Sequence, residues 1–222
     1  MIPLRDNIQI RSFPFVTILL ILSNCYVFYL EYTVTDQQLG LIMTHYSLVP
    51  ADFINALTQQ SIRLSDYVPL LSNLFLHGSW LHIIGNLWFL FLFGRTSESC
   101  LGHMKYFIFY LVCGIAANLV QIAFDPISDV PVIGASGAIS GILGSYIFCF
   151  PRARISTLIP IFFFFTIIEI PALVFIGIWF LLQVYQGTLS ASMTGSNVAW
   201  WAHIGGFLMG IGLNVLLNRR PN

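Results

Sequence analysis

Six stretches of this chain stay apolar for about as long as a helix needs to cross a lipid bilayer, roughly 20 residues. They are read as helices over about 13–31, 79–99, 104–124, 132–150, 172–189 and 198–217. Only 8% of the 222 residues are charged, where soluble domains carry about a quarter. The chain is therefore expected to be an all-α membrane protein, a six-helix bundle in one domain over residues 1–222. The first run is long and no small-x-small cleavage site follows it, so it reads as a membrane helix and not as a signal peptide. Val68–Phe93 is longer than one straight span needs, and His77-Gly78-Ser79 offers a break before the second helix. Residues 32–78 are too polar to span and too apolar for a flexible linker. They are read as an ordered outer loop with short surface helices. Ile155–Pro171 is rich in β-branched and aromatic residues and carries Pro160 and Pro171. It reads as an irregular or hairpin segment at the membrane face.

Charge placement orients the bundle. With six helices both ends lie on one side, and that side collects Arg5, Arg11, Arg95, Lys105, Arg152, Arg154, Arg219 and Arg220, with Arg63 alone opposite. By the positive-inside rule both termini are cytoplasmic. The formal net charge is zero, which argues against a nucleic-acid partner. Cys25, Cys100, Cys113 and Cys149 lie in or beside apolar runs without zinc-type spacing, and imply neither a metal nor a disulfide.

Against this apolar background the polar groups stand out. Ser136 sits in Gly134-Ala135-Ser136-Gly137, at the head of the fourth helix. A helix start offers unpaired N–H groups and a positive dipole end, suited to an oxyanion formed beside the serine. His82 and Asn86 lie near the outer end of the second helix, four residues apart and so on one face. His203 lies near the outer end of the sixth. All these helices run inward, so the groups share a depth of roughly 5–12 Å below the outer surface. A polar group in lipid is a functional candidate by default. Packing supports their meeting: Gly137, Gly141 and Gly144 on the fourth helix and Gly206 and Gly210 on the sixth have the spacing that lets helices approach closely. His203 would then serve Ser136 as general base and the leaving amine as general acid. His82, Asn86 and the Ser136 N–H would form the oxyanion hole. No aspartate shares this depth, so the pair is a dyad and not a triad. A zinc motif of the HExxH type and a pair of membrane aspartates are both missing from the sequence. No cofactor is expected.

The stretches LFLHGSWLHIIGN, GRTSESCLG, IGASGAISG and AHIGGFLMG occur in this order on the second, fourth and sixth helices and the turn after the second. From Val68 to Gly212 the chain resembles the rhomboid intramembrane serine proteases. The resemblance implies a six-transmembrane-helix rhomboid-like bundle with a cavity open to the outside. It implies Ser136 as nucleophile, His203 as its base, and His82 and Asn86 in the oxyanion hole. His77 matches an outer-loop histidine and Glu98 an acid at the cytoplasmic end of the second helix, both read as structural. Two departures stand against the family pattern. Asp66-Tyr67-Val68-Pro69 occupies the place of a Trp-Arg pair, and Ser140 that of a tyrosine stacked on the base. Implied partners are the lipid bilayer and transmembrane protein substrates, single-span ones included. By analogy the membrane is a bacterial inner membrane. The alternatives are a non-catalytic rhomboid-like protein that binds membrane clients and, more weakly, a small transporter or channel. The oligomeric state is not set by the sequence.

Overall fold

The computed structural model describes residues 1–10, 12–161, 164–190 and 198–216. The sequence also suggests a small polar loop at 190–197 and a basic tail at 218–222; residues 191–197 of the loop and the whole tail lie outside the described residues. The chain opens with a strand, β1 (Ile2–Asp6), followed by α1 (Phe15–Thr33). Residues 34–79 hold α2 (Asp36–Tyr46), α3 (Pro50–Thr58), the one-turn α4 (Pro69–Ser72) and two short 3-10 turns. Next comes a continuous helical rod built of α5 (Trp80–Phe89), a π-helical turn (Leu90–Gly94) and α6 (Arg95–Leu101). After it come α7 (His103–Phe124), α8 (Ser136–Cys149), the strands β2 (Arg154–Ile161) and β3 (Phe164–Pro171), then α9 (Ala172–Ser190) and α10 (Trp200–Leu216).

The bundle is built around α8. Buried residues occupy every face of it from Gly137 to Tyr146, as expected for a helix apolar all round. Its neighbours α7 and α10 cross it at very short range because the contact residues are small. A Cβ on Gly206 would collide with the Gly137 carbonyl oxygen, and one on Gly210 with the Gly141 carbonyl oxygen. Leu90, Phe93, Tyr106, Tyr110, Ile142 and Tyr146 fill the space between α8, the rod and α7.

Long-range polar contacts tie the ends of the rod. Pro14 precedes α1 and offers no side-chain cap. The fully buried Glu98 on α6 supplies the acceptor instead, taking the N–H groups of Val16 (2.9 Å) and Thr17 (2.8 Å) and the Thr17 hydroxyl (2.7 Å). An acid at a helix N-terminus also meets the positive end of the dipole. At the other end of the rod the Ser79 side chain caps α5 by accepting the His82 N–H at 3.2 Å.

The segment 155–171 folds as an antiparallel strand pair, in register from Arg154↔Pro171 to Ile161↔Phe164. β1 adds to it, giving the order β1-β2-β3. The stretch 1–12 is short and polar and carries no strand pattern in the sequence. What holds the strand is non-local. Its Pro3 carbonyl accepts from Trp88 Nε1 at 2.7 Å, and Asp6 accepts from Thr96 (2.8 Å) and Tyr146 (3.1 Å) with Arg95 at 3.7 Å.

The lengths of the helices bear on the six-span expectation. α1, α7 and α9 are long and apolar enough to cross a membrane, and the rod makes a fourth if its bent partner, the segment 64–75 at 81° to it, is counted in one span. α8 and α10, at 14 and 17 residues, are apolar but shorter. At 1.5 Å per residue they reach about 21 and 26 Å, against a hydrocarbon core of about 30 Å. The described helices thus define an apolar membrane bundle with three or four full-length spans.

Candidate active site

Ser136 is the first residue of α8. The turn that delivers it contains Gly134 at φ +111°, a left-handed conformation that suits glycine. Space enforces the same choice: a Cβ on Gly134 would lie 2.6 Å from His82 Nε2 and 3.3 Å from Asn86 Nδ2. Its N–H donates to the Asn73 carbonyl at 2.8 Å, which anchors the turn against the segment before α5.

The close approach of α8 and α10 brings His203 Nε2 to 2.8 Å from Ser136 Oγ. The other ring nitrogen, Nδ1, lies 2.7 Å from Gln183 Oε1 on α9. Trp179 and Trp200 flank the imidazole with ring centroids at 6.2 and 5.9 Å. Trp201 points away and stacks on Phe124 at 4.2 Å. Ser140 does not reach the ring; its hydroxyl donates to the Ser136 carbonyl at 2.7 Å. Gly206→Val is expected to force α8 and α10 apart at this point. Overpacking costs about 1–3 kcal/mol, and more where the obstacle is backbone. The melting temperature in detergent should fall by several degrees, and the variant should lose reactivity at Ser136.

Across the cleft, Asn86 Nδ2 donates to His77 Nε2 at 2.9 Å, while His77 Nδ1 faces the Phe75 carbonyl at 3.2 Å. The His77 backbone N–H is in turn held by both carboxylate oxygens of Glu31, each at 3.2 Å. The His82 ring packs edge-on against His77 at 5.0 Å. His77, read from the sequence as an outer-loop structural residue, is thus buried and fixes the Asn86 amide. One N–H of that amide is left for another acceptor. His82, Asn86, Ser136 and His203 all line one cleft of about 560 Å³. The direct hydrogen bond is between Ser136 and His203; His82 and Asn86 face the same space from α5.

Chemically, a hydroxyl bonded to an imidazole nitrogen can pass its proton there on attack. The first N–H groups of α8 have no acceptor within the helix, and donors of this kind suit a negative charge formed beside Ser136. Sequence reasoning missed Gln183. Its signal was available: a side-chain amide inside an apolar run is costly unless it is bonded.

Residues 64–220 match the family model described as the Rhomboid domain. The chain belongs to the rhomboid family. It is 31% identical over 170 residues to RHOMBOID-like protein 5 of Arabidopsis thaliana, covering 76% of this chain and 50% of that protein. It is 27% identical over 150 residues to Rhomboid protein 1, mitochondrial, of Saccharomyces cerevisiae, covering 65% and 40%. It is 30% identical over 148 residues to the Bacillus subtilis protein named "Putative rhomboid protease YdcA", covering 64% and 67%. The chain spans half or less of the length of the plant and yeast relatives. Family and apolar helices together make it an integral membrane protein.

Proposed function

We propose that the protein is an intramembrane serine endopeptidase that hydrolyses peptide bonds in or near transmembrane segments of its substrates. The observation that carries this reading is the 2.8 Å contact between Ser136 Oγ and His203 Nε2, at the head of a buried helix and facing a cleft. Ser136 attacks the scissile carbonyl while His203 takes its proton. The tetrahedral oxyanion is held by the Ser136 N–H with His82 and Asn86. His203 then protonates the leaving amine, and water, activated by the same imidazole, releases the acyl product.

In this reading α8 and α10 are short spans, and with α1, the α5–α6 rod, α7 and α9 they make six. Both termini are cytoplasmic, as the distribution of Lys and Arg favours, and the membrane is a bacterial inner membrane. The cleft then opens toward the outer face, from which water enters. A substrate helix hides its carbonyls in hydrogen bonds, so it must unwind locally before it is cut. Segments with Gly, Pro or other weak helix formers at the cut are expected to be preferred.

The test is incubation of the purified protein in detergent and in liposomes with several single-span substrates, alongside a fluorophosphonate probe. Cleavage within or beside the span, with labelling that maps to Ser136, is the expected result. A folded protein that neither labels nor cuts overturns the reading and favours client binding without catalysis.

A further inference from the structure

We infer that Gln183 is a positioning residue that fixes the tautomer and orientation of His203, in the place a carboxylate holds in a triad. The inference rests on the protease reading for its effect on turnover, and on geometry alone for the tautomer. A serine–histidine pair works only if the nitrogen facing the serine carries a lone pair, so the proton must sit on the other one. In a triad an acid at Nδ1 ensures this. Among the described residues no Asp or Glu lines this cleft, and Glu31, which lies behind His77, is engaged with the His77 backbone.

Nδ1 of His203 instead meets Gln183 Oε1 at 2.7 Å. Which end of the amide faces the ring is decided by a second contact. Gln183 Nε2 donates to the Trp179 carbonyl, one turn earlier on α9, at 3.2 Å. Flipping the amide would set oxygen against that carbonyl oxygen, so Oε1 is the atom that faces His203. An amide oxygen only accepts. Nδ1 therefore carries the hydrogen, and Nε2 presents its lone pair to the Ser136 hydroxyl at 2.8 Å. The indole rings of Trp179 and Trp200 limit tilting of the imidazole but cannot choose its tautomer. Ser140 is engaged with the Ser136 carbonyl.

The origin of Gln183 adds a consequence. It comes from α9, whose most apolar stretch is 28% buried against 50% for α7. α9 is seated on α10 through the stacked rings of Phe180 and Phe207, 4.5 Å apart. The third contact of the site is thus supplied by a lightly packed helix.

The experiment compares wild type, Gln183→Leu and Gln183→Glu in the full chain, each checked for an unchanged melting temperature. Ring ¹⁵N NMR, with the His203 signals assigned by loss in His203→Asn, reads the tautomer without any need for activity. Wild type is expected to hold the proton on Nδ1, and Gln183→Leu to lose that preference. In cleavage assays Gln183→Leu is expected to lower kcat by about 10- to 100-fold with little change in KM, a part of what a positioned base contributes. Gln183→Glu, which keeps an acceptor at Nδ1, is expected to recover most of the loss. A wild-type spectrum with the proton on Nε2, an unchanged tautomer in Gln183→Leu, or a Glu variant no better than Leu overturns the inference. If wild type neither labels nor cuts, the protease reading fails, and the spectrum still decides the role of Gln183.

Discussion

Ser136→Ala and His203→Ala are each expected to reduce cleavage of a single-span substrate to background, a loss of about 10⁴- to 10⁶-fold in kcat. The two groups act as one unit: the hydroxyl is a weak nucleophile without the imidazole, and the imidazole has nothing to activate without the hydroxyl. The double variant should therefore be no slower than either single one. Fluorophosphonate labelling should vanish in Ser136→Ala and drop to near background in His203→Ala. Substrate capture should survive in both, because neither side chain builds the walls of the bundle. Stability separates chemistry from folding. Removing the Ser136 hydroxyl forfeits one hydrogen bond, about 0.5–1.5 kcal/mol, so the melting temperature should barely move. Labelling that persists in Ser136→Ala would mean that another nucleophile is reacting, and the proposed role of Ser136 would fall.

The legibility of this chain follows from how local each signal is. The close contact of α8 with α10 was readable because it needs only small residues at spacing four, Gly137 and Gly141 against Gly206 and Gly210. The Ser136–His203 meeting follows from that contact plus depth counted at 1.5 Å per residue. β1 was not readable. It is five residues long, contains Pro3, and is held by Trp88, Thr96, Tyr146 and the β2 edge, all more than 80 residues away. Glu98 could be matched to a motif, yet its work as the N-terminal acceptor of α1 depends on a partner 81 residues distant. Gln183 was hidden by the hydropathy average of α9, which one amide hardly lowers. The span count is the point where composition and geometry part. A run from Val132 to Phe150 is long enough on paper, but its first four residues form the turn that presents Ser136 and Phe150 already lies past the helix end, leaving 14 for α8.

Asn86→Ala is expected to cost about 10²- to 10³-fold in kcat, the usual loss for one preorganised oxyanion donor. KM should change little, because the donor meets charge that develops only in the transition state. Labelling by the fluorophosphonate should slow by a similar factor, since its phosphoryl oxygen takes the oxyanion position. His82→Ala is expected to lose less, since the α8 N–H groups and Asn86 remain. The buried relay behind Asn86 yields a sharper comparison. One amide hydrogen of Asn86 is spent on His77 Nε2 at 2.9 Å, and His77 is oriented by Phe75 and by Glu31 through its backbone. His77→Ala leaves Asn86 in place but free to turn. It should therefore reproduce part of the Asn86→Ala loss, about tenfold, as outer contacts that orient functional groups typically do. Because both substitutions act through one amide, Asn86→Ala combined with His77→Ala should be no worse than Asn86→Ala alone. Independent, multiplicative losses would mean that His77 acts on the cleft directly and not by holding Asn86. Wild-type rates in both Asn86→Ala and His82→Ala would leave the α8 N–H groups as the whole of the oxyanion hole.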